Sequence, residues 1–155
     1  MSNTRVPWQR RVAAMIAVPL VAGAAVVGVA TGASAAASDC PNGKACGWAN
    51  AGYVSGAFGT GGKNYISFYY SQSNLANVNY EGTSDRANDN ISSIYNNGNS
   101  QWVYFYQDAC GRGARVSLGL KRGDADLNND VGNVPIRFND RISSGYFDAY
   151  RPAGS

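Results

Sequence analysis

The segment Asn88-Asp89-Asn90-Ile91-Ser92-Ser93 occurs a second time as Asn139-Asp140-Arg141-Ile142-Ser143-Ser144, 51 residues further along the chain. Each copy places a carboxylate and a hydroxyl three residues apart in a segment of turn-forming residues. Oxygen atoms carried by short turns suit a hard cation such as calcium. The repetition therefore predicts two comparable calcium sites.

The similarity between the two halves extends beyond these segments. An aromatic strand, a glycine-containing turn and an Asx-Leu pair precede each copy, with the leucines, Leu75 and Leu127, 13 and 12 residues before the repeated segment. The chain therefore contains duplicated supersecondary units. No sustained helical period is present, and the predicted strands, rich in aromatic or β-branched residues, are 45–49, 64–70, 92–95, 101–107, 114–118 and 142–150. The pattern predicts an all-β domain of two Greek-key units, about 45–97 and 101–150.

The first 35 residues have the features of a secretory signal peptide. Arg5, Arg10 and Arg11 precede an apolar run that ends in Ala33-Ser34-Ala35, a small-residue cleavage pattern. We expect cleavage there, which gives a secreted, extracellular domain of residues 36–155 with no membrane contact after cleavage. A retained membrane anchor is the alternative, disfavoured because the apolar run is rich in Ala and Gly and contains Pro19.

The leader also accounts for the net charge. Three of the 13 basic residues lie in it, and all 10 acidic residues lie after it, so the mature chain carries no net charge. No positive field favours a nucleic-acid partner. A length of about 120 residues fits one domain with a real core, and we expect a monomer.

Cysteine usage and the lack of histidine narrow the chemistry. Cys40 and Cys46 bracket the turn-forming stretch Pro-Asn-Gly-Lys-Ala, so this pair is the favoured disulfide, and Cys110 is then free or buried. Histidine is absent from the sequence, which argues against zinc and against histidine-dependent catalysis. Asp124 and Asp126 could act as an acid and a base, but a solvated turn is the simpler interpretation. We therefore expect that the protein is not an enzyme.

Both repeated segments resemble the calcium signature of the βγ-crystallin superfamily, which reads Asn/Asp, Asn/Asp, any, any, Ser/Thr, Ser. They match it at all four constrained positions. The stretch Phe105-Tyr106-Gln107-Asp108 through Gly113 is similar to the aromatic strand and glycine corner that open such units. The resemblance implies an all-β, βγ-crystallin-like sandwich of two Greek-key units.

The resemblance also implies that each of two calcium ions takes ligands from both signatures. The implied ligands are the side chains of Asp89, Ser92, Asp140 and Ser143 and the main-chain carbonyls of Asn90 and Arg141. The implied bracing residues are Asn88, Asn139, Ser93 and Ser144. A further carbonyl near Asn50 or Asp108 would complete the ligand set of each ion. Because each calcium site has few carboxylates, we expect dissociation constants of about 10⁻⁵ to 10⁻³ M. The cation of Arg141 would weaken the second site; the alternative is that both segments are turns that need no ion.

A narrower resemblance concerns function. Cys40-Pro41-Asn42-Gly43-Lys44-Ala45-Cys46, followed by Trp48, is similar to the start of secreted actinobacterial peptidase inhibitors of the same fold. It implies a Cys40–Cys46 bridge and an extracellular protease as partner. Segments 56–62, 111–115 and 120–124 are candidate contact loops, the last with Lys121-Arg122, and the choice among them stays open. The alternative is a calcium-stabilised structural or cell-wall/carbohydrate-binding module, since aromatic runs such as 65–70 and 102–106 could stack on sugars.

Overall fold

The computed structural model describes residues 37–54, 64–132, 134 and 138–155. All of these fall within one unit of the chain, Thr31–Ser155. The predicted signal peptide and the candidate loop 56–62 lie outside the described residues. Within the described ranges, no helix is long and apolar enough to cross a membrane.

Eight strands within the described ranges form two four-stranded antiparallel sheets. They are β1 (Ala45–Trp48), β2 (Tyr65–Phe68), β3 (Ser71–Gln72), β4 (Ser93–Asn96), β5 (Val103–Asp108), β6 (Arg112–Leu118), β7 (Arg122–Asp124) and β8 (Ser144–Phe147). The strand orders are β2-β1-β4-β7 and β3-β8-β5-β6. The all-β prediction is confirmed, and six of the eight strands coincide with predicted ones.

The third strand of each half belongs to the sheet of the other half. β3 pairs with β8, with Ser71 opposite Tyr146, and β7 pairs with β4, with Asp124 opposite Ile94. Neither strand appears among the predicted ones, because segments of two and three polar residues are too short to show an alternating pattern. The exchange means that neither half completes a four-stranded sheet from its own residues.

The core lies between the two sheets and draws on both halves. One buried cluster contains Phe68 and Ile94 from the first sheet together with Phe105, Leu118 and Phe147 from the second. The Phe68 ring meets the Phe105 ring edge to face, with centroids 6.0 Å apart, a favourable aromatic geometry. The shared core is therefore a single hydrophobic unit, as the duplicated pattern predicts.

The outer face of β1 is also covered. Cys46 and Trp48 alternate with the core-facing residues of this strand and pack with Cys40 and Tyr65 in a second, smaller cluster. Cys40 and Cys46 form a disulfide with their Cα atoms 5.8 Å apart, which confirms the predicted pairing. Cys110 has a free and exposed thiol.

Candidate functional site

The two signature segments, 88–93 and 139–144, lie side by side and are joined by reciprocal backbone hydrogen bonds. The Asp89 amide donates to the Ile142 carbonyl, and the Asp140 amide donates to the Ile91 carbonyl, each at 3.1 Å. Both isoleucine side chains are fully buried in the core. The variable position before the serines is therefore an anchor that holds each loop against the sandwich.

The two carboxylates adopt an uncommon backbone conformation. Asp89 and Asp140 have φ values of 52° and 54°, in the left-handed region that costs roughly 1–2 kcal/mol for residues with a Cβ but which Asp and Asn tolerate best. The strain occurs at the same position in both copies. It turns each aspartate toward the opposite loop.

Each aspartate consequently faces the first serine of the other signature. The Ser143 hydroxyl donates to Asp89 Oδ1 at 2.9 Å, and Ser92 Oγ lies 3.5 Å from Asp140 Oδ1. We call these the Asp89–Ser143 pair and the Asp140–Ser92 pair. The structure thus brings together all four side chains that the sequence singled out, in pairs that cross between the halves.

The first residue of each signature orients the neighbouring carboxylate. The Asn88 amide donates to Asp89 Oδ2 at 2.7 Å, and the Asn139 amide donates to Asp140 Oδ2 at 2.6 Å. One carboxylate oxygen is thereby engaged within its own loop while the other is left facing the serine. Asn88 and Asn139, the residues expected to brace the loops, thus each contact the carboxylate that follows them.

The last serine of each signature is fully buried and holds a neighbouring turn. Ser93 Oγ donates to the Asn50 carbonyl at 2.7 Å and accepts from the Tyr53 amide at 3.2 Å. Ser144 Oγ donates to the Asp108 carbonyl at 2.7 Å and accepts from the Gly111 amide at 3.1 Å. The two carbonyls suggested as additional ligands are therefore already hydrogen-bonded to these serines.

The carbonyls at the third signature position differ between the copies. The Asn90 carbonyl accepts a hydrogen bond from the Tyr80 hydroxyl, whereas the Arg141 carbonyl has no hydrogen-bond donor among the described residues. Burial raises the pKa of Tyr80 above its ordinary range, and the charge of Asp140 raises it further. The tyrosine is neutral at physiological pH and remains a donor. Sequence reasoning missed Tyr80, since the other half has no tyrosine at the matching distance from its signature.

The donor set fits calcium. Two oxygens 2.9 or 3.5 Å apart can both lie about 2.3–2.6 Å from one ion, and calcium completes its six to eight ligands with carbonyls and water. Asp89 and Asp140 are exposed, so water can reach them. No group of three or more His, Cys, Asp or Glu side chains clusters within the described ranges. Each pair therefore offers a single carboxylate.

A second feature, the hairpin of β5 and β6, is attached to the second signature through Ser144. Its turn places Cys110 and Gly111 at φ values of 60° and 69°. The Cys110 amide donates to the Ser73 carbonyl at 2.7 Å. A Cβ on Gly111 would lie 2.9 Å from Pro152 Cγ, so the close approach requires glycine. The turn is held from both sides by hydrogen bonds.

The strand that leaves this turn is open to solvent. β6 is the last strand of its sheet, and its first four residues, Arg112–Arg115, are exposed. An open cleft of about 1020 Å³ lies beside them, lined by Tyr106, 110–115 and 152–155. Burial alone would raise the pKa of Tyr106, but Ser155 and the guanidinium groups of Arg151 and Arg115 hold it below the ordinary value. Arg112 and Arg115 of the lining make this wall cationic.

The 120–124 segment differs from its sequence-based interpretation. The Lys121 ammonium group donates to oxygens of Asn42, Asn97 and Asn99 at 2.8–3.3 Å. The Lys121 side chain is therefore held against the protein surface instead of projecting freely from this candidate contact loop. These asparagines lie far from it in sequence, and no local pattern signals the contacts.

Asp124 is likewise not part of a solvated turn. Its side chain is buried, and its two carboxylate oxygens accept from the backbone amides of Asp126 at 3.0 Å and Val134 at 2.9 Å. Asp126 in turn accepts from the Asn128 amide at 3.0 Å. Both carboxylates hold backbone amides, which explains their spacing without acid/base chemistry.

The comparison with protein families decides the identity. Residues 33–118, more than half of the chain, match the model of peptidase inhibitor family I36. The chain belongs to peptidase inhibitor family I36. This I36 member thus comes from a family of inhibitors, not of enzymes, and the matched region contains the disulfide, the first signature and the β5–β6 hairpin. The second signature lies beyond it.

Solved structures place this I36 protein in the βγ-crystallin fold. A structure from work on the evolution of the eye-lens βγ-crystallin domain fold aligns with a TM-score of 0.52 and 16% identity, covering 70% of this chain and 88% of that chain. A βγ-crystallin from Ciona intestinalis aligns at 0.45, with 19% identity and coverage of 68% and 100%. An archaeal βγ-crystallin aligns at 0.43, with 18% identity and coverage of 69% and 99%. No curated protein matches the chain. The first of these likenesses supports the fold and carries no functional argument.

Proposed function

We propose that the protein is a secreted, calcium-binding inhibitor of an extracellular protease and that it inhibits through the β5–β6 hairpin. Membership of an inhibitor family is the observation that carries the general activity. The hairpin is our choice among the three candidate loops. The leader, residues 1–35, would direct export and be removed.

The hairpin has the properties that an inhibitory loop needs. Its turn is held by the Ser73 carbonyl on one side and the Ser144 hydroxyl on the other, and the strand beyond it is extended and exposed. A loop ordered before binding loses little conformational entropy when the complex forms. Arg112 offers an exposed guanidinium group, and the guanidinium of Arg115 lies over the Tyr104 ring at 5.6 Å from its centroid. Arginine side chains are frequent anchors in protein interfaces.

The other candidate loops have less support. Lys121 is held by three asparagines, so its charge is not available to a protease pocket without breaking those hydrogen bonds. The 56–62 loop lies outside the described residues. The hairpin is therefore the candidate whose geometry supports a contact role.

Calcium would be held by the Asp89–Ser143 and Asp140–Ser92 pairs, with carbonyls at Asn90 and Arg141. A bound ion would supply a crosslink between the two halves, because each pair takes one ligand from each half. With one carboxylate per pair, we expect dissociation constants of about 10⁻⁵ to 10⁻³ M. The stabilisation then grows with calcium concentration rather than acting as a sharp switch.

A protease panel tests the proposal. The protein is assayed at micromolar concentration against metallo-, serine and cysteine proteases, with calcium and with a chelator. We expect inhibition of at least one class, and about tenfold weaker inhibition by the variant Arg112→Glu, Arg115→Glu, because charge reversal opposes a complementary surface.

Lys121→Ala is the matched control, since it also removes a cation but from a loop outside the hairpin. It should inhibit like the wild type. No inhibition of any class by the wild type would refute the inhibitor function. Undiminished inhibition by the hairpin variant, or a loss confined to Lys121→Ala, would refute the hairpin assignment.

A further inference from the structure

Three tyrosines form an exposed aromatic surface that includes no residue of either signature or of the β5–β6 hairpin. Tyr69, Tyr70 and Tyr150 expose 55%, 62% and 46% of their surface. The Tyr69 and Tyr70 ring centroids lie 6.3 Å apart, and those of Tyr70 and Tyr150 lie 4.8 Å apart. Clustered exposed aromatic side chains on a soluble protein mark an interaction site more often than scattered ones do.

These rings line a shallow cleft of about 230 Å³. Two glycines of the lining pack closely against its aromatic residues: a Cβ on Gly98 would lie 2.6 Å from the Phe147 ring, and one on Gly43 would lie 3.3 Å from the Tyr69 ring. The Lys44 ammonium group lies 4.9 Å from the Tyr69 ring centroid and restrains that ring. The cleft is smaller than the roughly 300–1,000 Å³ pockets that enclose drug-sized ligands. It fits one ring of a larger ligand that stays mostly in solvent.

Two side-chain amides, those of Asn99 and Gln101, lie beside the rings, and hydrogen bonds fix their orientation. Gln101 Oε1 accepts from the Ala149 amide at 2.9 Å, and Asn99 Oδ1 accepts from Lys121 at 3.2 Å. Both oxygens are thus engaged, while neither NH₂ group has a hydrogen-bond acceptor among the described residues. The cleft therefore combines aromatic faces with two oriented, uncharged N–H donors.

From this combination we infer that the Tyr69–Tyr70–Tyr150 cleft binds a neutral, β-linked hexopyranose polysaccharide. A pyranose ring whose hydroxyl groups and β linkages are all equatorial presents C–H groups on its faces, which pack on aromatic rings, and hydroxyl or acetamido oxygens at its edge, which accept from amide donors. Both cations beside the cleft are already engaged: Lys121 donates to asparagine oxygens, and Lys44 donates to Ser67 Oγ at 3.2 Å and lies over the Tyr69 ring. A neutral ligand therefore fits the cleft better than an anionic one.

This inference goes beyond protease inhibition and does not depend on it. The cleft shares no residue with the hairpin or with the two carboxylate–hydroxyl pairs. Its consequence is location, because a secreted chain that binds glycan would be retained at a polysaccharide surface.

Calorimetric titration with cellohexaose and chitohexaose tests the inference and separates the two sources of a β-linked pyranose. We expect saturable binding of at least one of them at about millimolar concentration or below. Tyr70→Ala should bind about two- to tenfold more weakly, the loss expected from removing one aromatic contact. Tyr70→Phe should bind like the wild type, because stacking needs the ring and not the hydroxyl.

Trp102→Ala is the matched control, an equally exposed aromatic residue, 52% accessible, outside the cleft lining. All these residues are exposed, so unchanged thermal unfolding verifies folding. Decaproline is the comparison ligand, because Pro-rich peptides also dock in aromatic grooves. The inference is overturned if neither saccharide binds, if decaproline alone binds, or if Trp102→Ala loses as much affinity as Tyr70→Ala.

Discussion

The two signature loops have nearly the same sequence and the same hydrogen bonds, yet they differ in two places. The Asp89–Ser143 pair is 2.9 Å apart and the Asp140–Ser92 pair 3.5 Å apart. The Asn90 carbonyl is bonded to Tyr80, while the Arg141 carbonyl has no donor among the described residues. A duplicated motif therefore specifies the shared geometry, whereas unmatched neighbours such as Tyr80 make the two sites unequal.

The last serines differ in what they hold. Ser93 holds the turn after β1 through Asn50 and Tyr53, and Ser144 holds the β5–β6 turn through Asp108 and Gly111. The same hydroxyl at the same signature position thus has a purely structural role in one half. In the other half it supports the proposed inhibitory hairpin.

The largest expected effect is the loss of calcium-dependent stability. A site at a hundredfold excess of calcium over its dissociation constant adds about 2.7 kcal/mol to the free energy of unfolding. Asp89→Ala and Asp140→Ala should each remove one such contribution. Urea unfolding with and without calcium measures the calcium-dependent part of the free energy of unfolding. If either single variant kept the full calcium-dependent stabilisation, its aspartate would not be a ligand.

Replacing the buried serines should be the next largest effect. Ser93→Ala and Ser144→Ala each leave a carbonyl and an amide, both at least partly buried, without a partner, which costs about 1–3 kcal/mol. Both variants should unfold at lower urea concentration. Only Ser144→Ala should also weaken protease inhibition, and equal inhibition by the two variants would separate the hairpin from the second signature.

Tyr80→Phe should sharpen the difference between the two carbonyls. Removing the hydroxyl eliminates one hydrogen bond, at a cost of about 1 kcal/mol in the free energy of unfolding, and frees the Asn90 carbonyl for calcium. We therefore expect lower stability without calcium but tighter calcium binding, measured by calorimetry. Weaker calcium binding in Tyr80→Phe would contradict the view that the tyrosine competes with the ion.

The smallest expected effect is a change in stability at alkaline pH. It concerns Tyr53, whose amide donates to Ser93 as the Gly111 amide donates to Ser144. Burial, with a further contribution from the charge of Asp124, raises the pKa of Tyr53 to about 12. Its contribution to stability is fully present below pH 10, the ordinary tyrosine pKa, and is lost as the pH rises through about 12. Tyr53→Phe should flatten the fall in urea midpoint over this range relative to the wild type, and parallel curves would contradict the assignment.

Local and duplicated features of the molecule could be predicted from the sequence. The six aromatic and β-branched strands follow from composition, and the Cys40–Cys46 bridge follows from a turn-forming spacer. The expectation that ligands from both signatures meet came from the family resemblance, whereas the partner of each carboxylate, such as Ser143 for Asp89, is seen only in the structure.

Features made by distant contacts could not be predicted. β3 and β7 exist because each half lends a short polar segment to the opposite sheet. Lys121 contacts an asparagine 79 residues away. Asp124 is buried, and its carboxylate accepts hydrogen bonds from the backbone amides of Asp126 and Val134. In each case tertiary contacts override a local pattern that is typical of a solvated turn.

Calcium titration by calorimetry, comparing the wild type with the variant Asp89→Ala, Asp140→Ala, tests the paired-loop account most directly. The account predicts saturable heat in the wild type at about 10⁻⁵ to 10⁻³ M calcium and none in the variant, with both proteins folded. Equal heats in the two proteins, or no binding by the wild type, would contradict it.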